Sequence, residues 1–194
     1  TIAKDRFKTV KTQTIAGQLI SEQAQFEIQK IIDNLTTATT ASDPPNKVDE
    51  LKAIRKVCQT GSMRKVKPTR VDLLLETLEG ELYLFDLKTA KPNAGGFREF
   101  KRTLLEWAAA IMATNENAKV NTMIAIPYNP YEPKPYHRWT MLGMLDLEHE
   151  LKVGDEFWDF LGGEGAYQDL LDCFERVGIE LRDEIDEYFA RFNR

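Results

Sequence analysis

Cysteine and histidine are scarce in this chain, with two of each among 194 residues, Cys58 and Cys173, His137 and His149. No finger-like spacing joins them, which excludes a structural zinc cluster. Each cysteine falls in a segment of helical apolar periodicity, which suits buried thiols in a reducing compartment, the cytoplasm, better than a disulfide scaffold. Long apolar runs are also lacking: none approaches the roughly 18 to 20 residues that cross a bilayer, and no basic stretch leads into an apolar segment of secretory type. A soluble protein with no membrane partner is expected. Positive charge is short overall, the formal net charge being -5, which on average argues against a polyanionic partner.

The average hides an asymmetry. From Leu51 to Leu105 there are 12 Lys/Arg against 6 Asp/Glu, whereas from Asp146 to Arg194 there are 5 against 15. A polyanion would be drawn to the middle of the chain and repelled by its end. Two solvated faces with no electrostatic purpose would produce the same counts. At 42% hydrophobic residues the length suits one substantial core. Apolar residues at Leu19, Phe26, Ile28, Ile31, Ile32 and Leu35 predict an amphipathic helix over 17–35, and Val48, Leu51, Ile54 and Cys58 predict another over 47–59. A loop over 36–45 separates them.

After a basic connector, Met63 to Arg70, the period changes. The apolar runs 71–78 and 81–89, with the turn Glu79-Gly80 between them, predict two strands of a hairpin. Phe97 to Thr114 reads as a long helix and Val120 to Ile126 as a third strand. Strand, strand, helix, strand predicts an α/β fold, a mixed central sheet flanked by helices. Four prolines between Pro127 and Trp139 preclude regular structure there, and the acidic remainder looks helical, broken at 161–165. One domain is expected, with N-terminal helices (1–62), a catalytic core (63–127) and a Pro/Tyr loop with an acidic helical part (128–194).

Asp72 on the first hairpin strand, with Asp86 and Lys88 two residues apart on the second, supplies what metal-assisted phosphodiester hydrolysis requires. Two carboxylates can hold a hard divalent cation, and a lysine can orient the attacking water. Strand residues two apart project from one face, and a short hairpin can bring Asp72 beside them. Acid-x-Lys alone is weak: the chain has five, at Glu50/Lys52, Asp86/Lys88, Glu99/Lys101, Glu132/Lys134 and Glu150/Lys152. Only Asp86/Lys88 ends an apolar strand with another acid in the strand before it. The alternative is a structural ion pair, or protective charges on a sheet edge.

The runs Lys67-Pro68-Thr69-Arg70-Val71-Asp72, Phe85-Asp86-Leu87-Lys88-Thr89-Ala90-Lys91-Pro92-Asn93 and Leu104-Leu105-Glu106-Trp107 resemble type II restriction endonucleases of the TdeIII type. Ile126-Pro127-Tyr128-Asn129-Pro130-Tyr131 and Glu156-Phe157-Trp158-Asp159-Phe160-Leu161-Gly162-Gly163 extend the likeness, which runs from about Thr60 onward. The resemblance implies a PD-(D/E)xK core, Mg²⁺ as cofactor with no organic one, double-stranded DNA as partner, and cleavage at a short palindromic site of the form GGNCC. Asp72 and Asp86 become metal ligands, Leu87 adds its backbone carbonyl, and Lys88 orients the water. Val71 stands where the motif has proline, which is not a ligand. Many members of the superfamily add a helix glutamate; Glu50, Glu22 and Glu27 are the candidates, with Glu50 preferred as closest in sequence and a solvated helix face as its alternative.

Arg64, Lys65, Lys67 and Arg70 precede the first catalytic strand, and Lys91, Arg98, Lys101 and Arg102 follow the second. All are expected DNA contacts, chiefly to phosphate. The Pro/Tyr loop could place Lys134, His137 or Arg138 in a groove, or simply pack onto the core. A two-fold homodimer is expected from the symmetry of a palindrome, with Tyr167, Leu170, Leu171, Phe174, Tyr188, Phe189 and Phe192 as its surface or as core. A structure-specific repair or resolving nuclease, and a non-catalytic DNA-binding protein with a vestigial site, are the rival functions.

Overall fold

Alternating apolar residues and a glycine turn lay down the centre of the fold first, and the rest of the chain is packed on its two faces. The computed structural model describes residues 2–37, 44–90, 96–136 and 141–192. In chain order a short 3-10 turn (Ile2–Asp5) leads to β1 (Thr9–Ile15), β2 (Leu19–Ser21), α1 (Glu22–Thr37), α2 (Lys47–Val57) and β3 (Met63–Lys65). Then come β4 (Arg70–Glu76), β5 (Leu82–Leu87), α3 (Phe97–Thr114), β6 (Val120–Ile126), β7 (Leu151–Val153), α4 (Asp155–Gly162), α5 (Ala166–Glu180) and α6 (Arg182–Ala190).

The expected hairpin is β4 and β5, closed by Gly80 at φ 81°, a left-handed conformation that costs glycine little. β6 runs parallel to β5, so their connection must cross over, and α3 is that crossover. The five-stranded sheet has the order β1-β4-β5-β6-β7, antiparallel at β1/β4 and β4/β5 and parallel from β5 to β7. It is the mixed sheet flanked by helices that the pattern predicts.

One face carries the larger core, with Ile28 and Ile32 of α1, Ile54 of α2, Leu104, Leu105 and Ala108 of α3, and Leu84 and Ile124 of the sheet. Each large aliphatic sealed there contributes about 1.5 to 3 kcal/mol. The other face is smaller: Leu73, Leu75, Phe85, Met123, Phe157 and Leu161 pack together, with Phe85 and Phe157 edge to face at 5.4 Å. Capping sets two helix starts. Ser21 Oγ accepts the Ala24 N–H at 3.0 Å, and Asn46 accepts the Asp49 N–H at 2.9 Å.

Several expectations are corrected. The segment 1–62 is not all helical, because β1 joins the main sheet and β2 pairs with β3 in a small separate ribbon. β1, with the sequence TVKTQTI, is a largely exposed edge strand and lacks the apolar run that marks β4 and β5. Phe26, expected on the buried face of α1, is 63% exposed. Cys58 is buried but Cys173 is exposed, because neither α5 nor α6 contains a buried residue. Among the described residues no helix is long and apolar enough to cross a membrane.

Candidate active site

The register Leu73↔Phe85 puts Asp72 and Asp86 opposite each other on the same face as Leu74 and Leu84, since side chains alternate along strands. The β4/β5 ladder ends at Leu73↔Phe85, one step short of the two aspartates. Beyond it Asp72 replaces a strand acceptor, its Oδ2 receiving the Leu87 N–H at 2.9 Å. β5 remains tied to β6 on its other side, where the Lys88 N–H donates to the Ala125 carbonyl at 2.9 Å. The strands thus part at the end of the sheet, and the charged groups occupy the opening.

Lys88 Nζ lies 2.8 Å from Asp86 Oδ1 and 4.4 Å from the centre of the Phe100 ring of α3. A cation over an aromatic face is attracted to it, so the ring and the carboxylate together fix the ammonium. Asp86 is only 9% exposed. Burial pushes its carboxyl above the ordinary value of 3.8, Lys88 works against the shift, and the neighbouring Asp72 adds to it. Among the described residues two carboxylates and one ammonium gather here, a formal excess of one negative charge. Hard oxygen donors on two strands suit a small divalent cation, which would favour the ionised form of Asp86. Among the described residues no three His, Cys, Asp or Glu side chains gather into a metal cluster; the donors offered here are the two aspartates and the Leu87 backbone.

The three helix glutamates have ion-pair partners of their own. Glu50 Oε2 is 2.5 Å from Lys101 Nζ, although neither Glu50 oxygen has a well-directed hydrogen bond. Glu22 pairs with Arg64 at 2.8 Å and Glu27 with Lys30 at 3.3 Å. None of the three figures among the groups that act on Asp86. Glu50 belongs to a second, buried cluster not foreseen from the sequence. Glu150 receives Lys47 at 2.8 Å and Lys101 at 2.6 Å, while Lys47 also donates to Thr122 at 2.7 Å.

Of the expected DNA contacts, Arg64, Lys65, Lys67 and Arg70 are exposed, Arg64 through its pair with Glu22 and Lys65 as the last residue of β3. Arg98 is exposed, 3.6 Å from Asp33, and Arg102 is half-buried, donating to Gln29 at 2.8 Å. Lys134 is exposed. Lys101 is a correction: fully buried between Glu50 and Glu150, it cannot reach a nucleic acid. Lys91, His137 and Arg138 lie outside the described residues. Sequence reasoning also missed Gln13, whose Nε2 donates to Asp72 Oδ1 at 2.8 Å; only the weak polar alternation of β1 could have flagged it.

A mixed five-stranded sheet flanked by helices is a restriction-endonuclease-like architecture. The family described as type II restriction endonuclease, HinfI, matches residues 1–178, and the chain belongs to it. The TdeIII-type resemblance therefore holds at the level of type II restriction endonucleases. Relatives include the type II restriction enzyme HgiCII of Herpetosiphon aurantiacus, 27% identical over 145 residues, covering 73% of this chain and 51% of that protein. HgiEI of the same organism is 24% identical over 172 residues (88% and 62%), and MjaII of Methanocaldococcus jannaschii is 28% identical over 178 residues (85% and 47%). The chain spans about half to three fifths of the length of these relatives.

Proposed function

We propose that this chain carries the catalytic centre of a type II restriction endonuclease of the PD-(D/E)xK kind, cutting double-stranded DNA at a short specific site with Mg²⁺ as cofactor. The observation that carries the reading is the facing pair Asp72 and Asp86 with Lys88 on Asp86, at the open end of the two central strands. Asp72 and Asp86 would hold the metal, which supplies Lewis acidity at the scissile phosphate when bound. Lys88, fixed by Asp86 and Phe100, orients the attacking water. Lys65 and Lys67, exposed before β4, and Arg70, exposed at its first position, make phosphate contacts that hold DNA without reading it. A site of the form GGNCC follows from the resemblance, as does cytoplasmic action within a restriction-modification system.

Cutting two antiparallel strands needs two such centres, so a two-fold homodimer is the simplest working unit. The unburied apolar side chains Phe174, Ile179, Tyr188, Phe189 and Phe192 on and after α5 favour that end of the chain as its surface. Plasmid digestion with Mg²⁺, followed by sequencing of the fragment ends, tests the reading. Discrete fragments with one terminal sequence are expected. Cuts at branched or damaged structures would instead make it a structure-specific nuclease, and metal-dependent binding without any nicking would make it a DNA-binding protein with a vestigial site.

A further inference from the structure

Gln13 stands in the middle of edge strand β1 with φ 50°, the sole non-glycine residue of positive φ among the described residues. An L-residue held in that region costs about 1 to 3 kcal/mol, and such conformations cluster where function requires them. The β1/β4 ladder pairs Thr12 with Leu73 and Thr14 with Val71, but the intervening Gln13 and Asp72 are absent from it. In place of a backbone pair, the Gln13 amide reaches across, its Nε2 donating to Asp72 Oδ1 at 2.8 Å. The other oxygen of Asp72 receives the Leu87 N–H at 2.9 Å. Both ladders that would embed Asp72 in the sheet are therefore broken at Asp72 itself. In their place the carboxylate is clamped from the two sides by one donor each. Every carboxylate oxygen keeps a second lone pair, so the clamp sets the plane of the group and leaves it able to bind a cation.

We propose that Gln13 is a positioning residue for Asp72, and that the left-handed backbone at Gln13 aims its amide at that carboxylate. The proposal rests on the metal-binding reading of Asp72 and Asp86. Outer groups that orient metal ligands contribute about 10- to 100-fold in affinity or activity, which is the size of effect expected here.

The test compares Gln13→Gly with the unaltered chain. Glycine accepts φ 50° without strain and removes the amide, so the variant separates backbone strain from positioning. Its melting temperature is expected to equal or exceed that of the parent. Its affinity for Mn²⁺, read without DNA from the loss of the free-ion electron paramagnetic resonance signal, is expected to fall about 10- to 100-fold. The kcat for DNA cleavage should fall in parallel with an unchanged KM. Gln13→Asn, which tolerates the same φ but is one methylene shorter, should behave like the glycine variant. Parental Mn²⁺ affinity in both variants would overturn the proposal, and a lowered melting temperature of Gln13→Gly would overturn the claim of strain. Asp86→Ala serves as the reference. If it loses Mn²⁺ while the Gln13 variants keep it, the inference about Gln13 alone fails; if it too binds Mn²⁺ normally, the site reading fails and the inference falls with it.

Discussion

Two clusters of charge sit on the same face of one sheet, and they differ in closure. In the parallel β5/β6 register Leu84 lies beside Thr122 and Asp86 beside Ile124, so the group around Thr122 is two residues deeper along the strands than Asp86. There Lys47 and Lys101 meet Glu50 and Glu150, two cations with two anions, all buried. At the strand ends Asp86 pairs with Lys88, the one cation among the described residues shown acting on it, and Asp72 lies beside Asp86. Burial is the largest influence on both buried acids and pushes each carboxyl up. For Glu150 the two lysines outweigh it and hold the group below its ordinary range, while for Asp86 the single lysine does not. With every group ionised the deep cluster is balanced in charge, and the described groups of the outer one fall short by one positive charge. That deficit, more than the presence of acids, is what supports the proposal of a divalent cation at the outer cluster.

The largest effect should come from emptying the outer cluster. Asp86→Ala removes a proposed metal ligand and an acid that burial disfavours as an anion, so cleavage is expected to fall about a thousandfold or more, some 4 kcal/mol of transition-state stabilisation. Urea unfolding of the metal-free variant should show stability no lower than that of the parent. Near-normal plasmid turnover would break the assignment. Glu150→Ala does the reverse. It leaves Lys47 and Lys101 buried without their shared partner, and orphaning a buried charge costs about 3 to 5 kcal/mol. The urea midpoint should drop sharply, while Mn²⁺ affinity of the folded fraction stays at the parental value. If the two variants exchanged these phenotypes, the deep cluster would be the functional one.

The sequence made one of these clusters legible and hid the other, for a physical reason. Asp86 and Lys88 are two apart on a strand, so their contact is local and period 2 exposes it. The deep cluster draws Glu50, Lys101 and Glu150 from three of the other acid-x-Lys pairs, and each bonds across the fold and not to its own neighbour. Such partners are set by how α2 and α3 pack over β6, which no spacing reports. That is why Lys101 read as a DNA contact and Glu50 as an active-site acid. Likewise β4, β5, α3 and β6 followed from apolar period, whereas β1 and the three-residue strands β2, β3 and β7 carry too few apolar residues to declare themselves.

The two clusters should also differ, more weakly, in how stability depends on pH. A group whose carboxyl is raised in the folded state binds more protons there than when unfolded, so stability declines as pH rises through the window between the two values. For Asp86 that window opens at about 3.8, the unfolded value, and extends upward. Glu150 has the opposite sign: its contribution is complete above about 4.5 and is lost as pH falls through its depressed folded value. Glu50, raised by burial, adds to the slope of the parent but is common to parent and Asp86→Asn, so it cancels in that difference; Glu150 is one of the groups that raise it, so its shift shrinks in Glu150→Gln. The stability of Asp86→Asn minus that of the parent, from urea unfolding without divalent metal, should therefore grow as pH rises above about 4. The parent minus Glu150→Gln should instead shrink as pH falls below about 4.5. Saturating Ca²⁺ should flatten the first difference, because a bound cation favours the ionised carboxylate, and leave the second unchanged. Parallel curves for Asp86→Asn and the parent would mean that the outer cluster is as balanced in charge as the deep one, and the case for a cation there would lose its physical basis.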